Sequence, residues 1–325
     1  MTAPLVHDIP TSLKRSLVDC EGVAYREFRA SLRPRWWAAW GQLACGYAAS
    51  AAILAGLAIW RPGGFAAIAA AAGGGLVIGY AIAYLNNFFH EAAHYNLAPD
   101  RRANDLLANL LMSWLYGSSI GLYRAIHWQH HRALGTTMDS ENSYFDPLRA
   151  RYLVQGLLGL KVLRTLVRYR EVERSREASA RQADGRRRLT WMLVAAAVNT
   201  AIVAGLALTG AAAAAGAWAA GELAFFPFFV SLRQTLEHRD EDADPGLDYT
   251  RVDHGPTNRL FGDGPLASTM GSAGFNRHAI HHWEPQISCT RLGDLERYLA
   301  QTELEPYLAE RRTSYWNTFK RLLVP

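Results

Sequence analysis

The sequence predicts an all-α integral membrane protein: four transmembrane helices in two hairpins, with a cytoplasmic helical cap. Three observations carry this. Four runs of the chain are apolar over spanning length and come in two pairs, each joined by a tight turn. Arginines crowd the polar segments around the pairs, whereas the turns inside the pairs carry only Arg61. Eight of the eleven histidines sit in three short boxes, all in polar segments beyond the second and fourth runs.

Residues 1–37 are polar and mixed. Leu13 to Leu17 and Tyr25 to Arg29 read as short amphipathic helices, and Arg33, Arg35, Trp36 and Trp37 form an interfacial anchor before the first apolar run. The runs lie near 38–60, 65–89, 189–209 and 211–230. Each is long enough for a helix to cross, or nearly cross, a hydrocarbon core of ~30 Å at ~1.5 Å per residue. Arg61-Pro62-Gly63-Gly64 and the neighbourhood of Gly210 supply the turns. The second run is rich in Ala and Gly, which lets membrane helices approach closely. Residues 95–122 read as interfacial rather than spanning. Gly135 to Glu141 is a polar loop, and Asp240 to Asp244 a solvated acidic turn. Asp294 to Leu304 and Tyr307 to Leu323 are expected as two amphipathic helices closing the cap. One membrane domain over 1–325 is expected, with the cap made of 90–188 and 231–325.

Because Lys and Arg stay cytoplasmic, their distribution puts the N-terminus, the arginine-rich middle and the C-terminal part inside the cell. All histidine boxes then fall on the cytoplasmic face of a multi-pass protein. The net charge of +5 is explained by this membrane-flanking arginine, so no nucleic-acid partner is expected. Cys20, Cys45 and Cys289 are scattered and make neither a disulfide framework nor a zinc knuckle, which fits a reducing compartment. Residues 1–16 contain no apolar signal core. Glu222 falls inside the fourth run, where a carboxylate is either a functional group or the partner of a neighbour such as Asn199.

The boxes are His90-Glu91-Ala92-Ala93-His94, His127-Trp128-Gln129-His130-His131 and His278-Ala279-Ile280-His281-His282, with His238 as a ninth candidate; only His7 and His254 lie outside them. Residues three and four apart share a helix face, so each box presents imidazoles together. A satisfied core has no need of clustered imidazoles, whereas metals do. Eight or nine ligands are too many for one ion and suit two, which makes this a His-rich di-metal site. Held by imidazole alone, such a pair would lack the bridging carboxylates of soluble di-iron bundles. Iron supports oxygen activation, whereas zinc has no redox chemistry.

The ordered pattern HxxxH, HxxHH, HxxHH on two helical hairpins resembles the membrane fatty acid desaturase superfamily, which includes related hydroxylases and ketolases. The resemblance runs from Asn87 to about Leu295; the three boxes together are highly specific, and one alone is weak. Asn276, two before His278, and Pro285, three after His282, match the usual setting of the third box. The resemblance implies iron ligation by His90, His94, His127, His130, His131, His238, His278, His281 and His282. It also implies contact of Gln234, one turn before His238, with a metal-bound water. No catalytic residue beyond the ligands and no organic cofactor is implied. It further implies two iron ions, O2 as co-substrate, a lipid or lipid-like substrate entering from the bilayer, and electrons from an external ferredoxin or cytochrome b5 with its reductase. The arginine-rich segment from Arg164 to Arg188 is a candidate docking surface for an acidic donor, or a contact for anionic lipid.

The third box departs from the acyl-lipid relatives. Ala279-Ile280 stands where they carry Leu-Glu, and Trp283-Glu284-Pro285 where they carry Leu-Phe-Pro. A specialised small molecule or carrier-bound chain is an alternative substrate, and hydroxylation or ketolation an alternative outcome. From another class, His90 to His94 matches the HExxH motif of zinc proteases, with Glu91 as general base. A histidine-lined metal transporter is a third reading, which the position of the boxes outside the spans disfavours.

Overall fold

A computed structural model describes residues 8–141, 143–160 and 178–324, with the side chains of 178–183 excepted. Arg164, Arg168, Arg170, Arg174 and Arg176, and with them most of the expected docking segment, lie outside the described residues. His7 and the side chain of Arg181 do too.

The described residues are helical, with three isolated bridges and no strand. After α1 (Tyr25–Ser31) come α2 (Trp36–Trp60) and α3 (Gly64–Ala93), then α4 (Arg101–Tyr116), α5 (Ile120–Ala133) and α6 (Ala150–Leu157). The second pair is α7 (Ala178–Leu208) and a helix in three parts: α8 (Ala212–Ala220), a π turn (Gly221–Phe225) and α9 (Phe226–His238). Short helices complete the chain: α10 (Pro265–Met270), α11 (His278–Trp283), α12 (Leu292–Leu299), α13 (Glu305–Arg311) and α14 (Tyr315–Leu322). Four helical stretches are long and apolar enough to cross a membrane: Trp36–Trp60, Gly64–Ala93, Asp184–Leu208 and Ala212–His238.

Helix α3 is the axis of the molecule and packs against α2, α4, α5, α8, the π turn and α9. Its glycines permit this. A Cβ on Gly79 would stand 2.4 Å from Cβ of Phe225, and one on Gly75 would stand 3.0 Å from Cβ of Ala220. Such contacts are van der Waals surfaces that only small residues allow. Trp37 and Trp60 are exposed at opposite ends of α2, as amphipathic rings are at the two membrane interfaces.

Three details differ from expectation. The fourth spanning helix does not stop near residue 230 but runs on through the π turn to His238, so a predicted ligand ends a membrane helix. The expected helix over 307–323 is two, because Leu260 pairs with the chain between them: its N–H donates to Arg311 O (2.9 Å) and its carbonyl accepts from Thr313 N (2.8 Å). Leu13 to Leu17 forms one 3-10 turn, Ser12–Arg15, rather than an α-helix. That N-terminal segment braces α11. Tyr25 donates to Glu284 Oε2 (2.8 Å), and Trp283 donates to the carbonyl of Pro10 (3.1 Å).

Candidate metal centre

Local structure fixes where each histidine starts. Helix α3 delivers His90 on its last turns and ends at His94. Asn104, fully buried on α4, secures that end: its amide donates to Ala92 O (2.9 Å) and its carbonyl accepts from Leu97 N (3.0 Å). Arg124 of α5 caps the same end, with Nε donating to Ala93 O (2.9 Å) and Nη2 to Ala92 O (3.0 Å). A cation on the last carbonyls of a helix is favourable, and this one also sets α5, with the second box, against the first. The third box is preceded by a sharp turn with Ala273 at φ 51° and Gly274 at φ 78°. Asn276 holds that turn by donating to Gly262 O (2.8 Å).

The nine histidines converge. Ligand nitrogens of His90, His94, His127, His131 and His281 all lie within 4.8 Å of one another, and so do those of His130, His238 and His282. His278 joins the second set, with its Nε2 3.0 Å from Nε2 of His238. The boxes therefore split between two sets. Consecutive helical residues point about 100° apart, so His130 faces one way while His127 and His131 face the other, and His281 and His282 divide likewise.

The spacing is that of ligands rather than of hydrogen bonds. Nε2 of His127 is 2.8 Å from Nε2 of both His94 and His131, while its Nδ1 lies 3.1 Å from Glu141 Oε1. With the proton on Nδ1, Nε2 has none to give to either neighbour. Nitrogens bound at right angles to one ion at ~2.1 Å would be about 3.0 Å apart. Nε2 of His90, His281 and His282 is buried and has no hydrogen-bond partner. Buried polar atoms are almost always satisfied, and metal ions at the two sets would satisfy all three. The residues fit a pair of ions.

Two carboxylates, Asp139 and Glu141, stand behind histidines. Asp139 accepts from Nδ1 of His130 at 2.9 and 3.0 Å, and Thr257 O accepts from Nδ1 of His238 at 3.2 Å. Glu237 Oε2 lies 3.9 Å from His278 Nε2. Asp139 and Thr257 set the tautomer and turn Nε2 toward a metal, whereas Glu237 stands on the Nε2 side of His278. Burial alone would raise the Glu141 carboxyl, but His130 and the hydrogen bond with His127 hold it down at about 2. Burial and mutual repulsion push His131, His278, His281 and His282 well below the ordinary imidazole range, so they are neutral and able to ligate. His130 is the exception. Burial disfavours its charge, but Asp139 and Glu141 carry it up to about 9, and a bound cation would replace the proton on Nε2.

Gln234 lies with its amide between Ser143, which donates to Oε1, and Glu141, to which Nε2 donates at 2.6 Å; it touches the site through Glu141 and His127. Glu91 is buried beside the first set, its Oε1 3.8 Å from Nδ1 of His90. Its Oε2 accepts from Cys289 N (3.0 Å) and Asn96 Nδ2 (3.2 Å), and its Oε1 faces Nδ1 of His281 at 3.6 Å. Sequence reasoning passed over Asp139 and Glu141 as part of a polar loop. An Asp-x-Glu pair just after a histidine box was the available signal, since each ligand's second nitrogen needs an acceptor. Thr257 acts through its backbone and leaves no such trace.

Membrane-length helices beside nine converging imidazoles, seven buried and His131 and His282 half-buried, define an integral membrane protein with a His-rich site that could hold metal. The family model described as fatty acid desaturase matches residues 66–316, and the chain belongs to that family. Membership makes it a desaturase-like oxidoreductase. No curated protein matches the chain.

Proposed function

We propose that this protein is an O2-dependent di-iron membrane oxidoreductase that desaturates an aliphatic chain, fatty acyl or similar. The observation that carries the proposal is the division of nine histidines into two adjacent sets. Two irons there would supply the redox chemistry that activates O2 and removes hydrogen from an unactivated C–H bond. Overall, the substrate loses two hydrogens to form a C=C bond. O2 gains these, with two electrons and two protons, to give two waters. The electrons come from a separate ferredoxin or cytochrome b5 type donor with its reductase, and the site opens on the cytoplasmic face.

The chain's own contribution is positional. Asp139, Glu141 and Thr257 hold the imidazole tautomers. Glu141 and Asp139 add negative charge beside the cations. The core of α2, α3, α4 and α8 excludes water from the side of the site that faces the bilayer. The protease reading needs one metal ion and three ligands, and it leaves the second set of histidines without a role. The transporter reading needs histidines along a path, and these are gathered at one place.

Purified protein supplied with iron, a ferredoxin system and candidate chains provides the test. About two irons per chain and a product lighter by two hydrogens are expected. An added oxygen mass would mean hydroxylation or ketolation, and about one zinc without oxidation would end the proposal. For the topology, a cysteine at Arg186 should be labelled only in inverted vesicles.

A further inference from the structure

The fourth membrane-crossing helix carries one acidic side chain before its cap end, Glu222, on the π turn Gly221–Phe225. Such turns are frequent at functional sites. Here the N–H of Phe226 bonds to the carbonyl of Gly221, and the turn is wedged against α3. A Cβ on Gly221 would lie 2.8 Å from Cγ2 of Ile78, just as one on Gly79 would strike Phe225. Glu222 is thus held in place by backbone packing. Its Oε2 is buried with no hydrogen-bond partner. Asn199, the partner that the sequence offered, is committed elsewhere. It donates to Trp114 O (3.2 Å) and Ala195 O (3.0 Å) and accepts from Trp218 Nε1 (2.9 Å). Hydrocarbon offers a carboxyl oxygen nothing in exchange, and an intramembrane acid whose buried oxygen has no partner among the described residues points to a ligand.

The position of Glu222 says which ligand. It is level with residues 78–79 of α3, eleven to twelve residues before His90, which is about 17 Å at ~1.5 Å per residue. Aromatic rings line the interval. Centroids are 5.4 Å apart from Phe226 to Tyr116, 5.1 Å from Tyr116 to Phe89, 5.2 Å from Phe89 to Tyr123, and 5.6 Å from Tyr123 to His127. Phe89 is buried, whereas Phe226, Tyr116 and Tyr123 are half-buried, packed against the core with part of their surface accessible. Tyr116 is within electrostatic range of Glu222.

We propose that Glu222 recognises a hydroxyl or amino group at the membrane-buried end of the substrate, whose aliphatic chain lies along this line of rings with its reacting carbon at the histidines. This rests on the oxidative reading of the histidine site and adds a substrate class to it: long chains with a hydrogen-bond donor remote from the reacting carbon. A site built to accept such a bond rejects the analogue that lacks it.

The test is equilibrium binding of hexadecane, 1-hexadecanol and hexadecylamine to the purified full chain in detergent, counted by native mass spectrometry. The wild type should bind the alcohol and the amine about tenfold more tightly than the alkane, the worth of one net hydrogen bond. Glu222→Leu should bind all three alike, with alkane affinity unchanged as the sign of an intact fold. Glu222→Gln keeps an acceptor without charge, and should keep the preference for the alcohol while weakening that for the amine, whose ammonium form loses its counter-charge. A wild type without preference would overturn the proposal, as would a preference that survives Glu222→Leu. If the leucine variant does not fold, an unchanged amine preference in Glu222→Gln does the same. Binding needs neither iron nor turnover. A wild type that shows the preference but, loaded with iron and given a donor, oxidises no chain would refute the oxidative reading alone.

Discussion

The two histidine sets do the same kind of work with different supports. Four of the five members of the first set come in pairs at i and i+4, His90 with His94 and His127 with His131. The helices that carry these pairs are locked together by Arg124 and Asn104. The second set draws His130 from α5, His238 from the end of α9, and His278 and His282 from α11. No two of its elements are adjacent in the chain. Its orientation depends on a loop carboxylate, Asp139, and on a loop carbonyl, that of Thr257. Both sets draw on three helices, but the first has two i, i+4 pairs and one loop partner, Glu141, whereas the second has one such pair, His278 with His282, and leans on two loop partners.

Disrupting each set in turn tests this contrast. The largest effect should come from His127→Ala, because its Nε2 is the common neighbour of His94 and His131. Activity should vanish and bound iron fall to about one per chain, by metal analysis, with membrane insertion retained. Asp139→Asn should spare the first set and weaken metal binding at the second by roughly 10–100-fold. Equal loss from both sets in a metal titration would contradict the division. Arg124→Met leaves the carbonyl of Ala93 at the end of α3 without its side-chain donor, while Ala92 O keeps Asn104. It should cost roughly 1–3 kcal/mol of stability, seen as a lower unfolding midpoint, and should loosen the first set more than the second.

Acid should act through both sets in the metal-free protein. His131, His278, His281 and His282 have folded values below the ordinary 6.5, so their contribution is complete above that pH and is lost as pH falls toward the folded values. Glu141, held down at about 2 against an ordinary 4.5, adds a second loss between those values. His130 has the opposite sign. Raised to about 9, it stabilises fully below 6.5 and loses that contribution as pH rises through 9. The unfolding midpoint should therefore drop from pH 7 to 5, and drop less from 7 to 9. A midpoint flat between 7 and 5 would contradict the packing of neutral imidazoles.

Much of this arrangement was legible in the chain because it is local. Spanning length, the Trp and Arg flanks of α2 and the i, i+4 spacing of the boxes are statements about neighbours on one helix. The sequence alone therefore determined a helical membrane protein and the nine histidines that could serve it. It did not determine which histidine joins which set, since that depends on how α3, α5, α9 and α11 meet. It also left open that α9 carries His238 at the end of a membrane helix, that Glu91 accepts from the backbone of Cys289, and that Asn199 is not the partner of Glu222. Those outcomes depend on contacts between residues far apart in the chain, and only packing in three dimensions decides them.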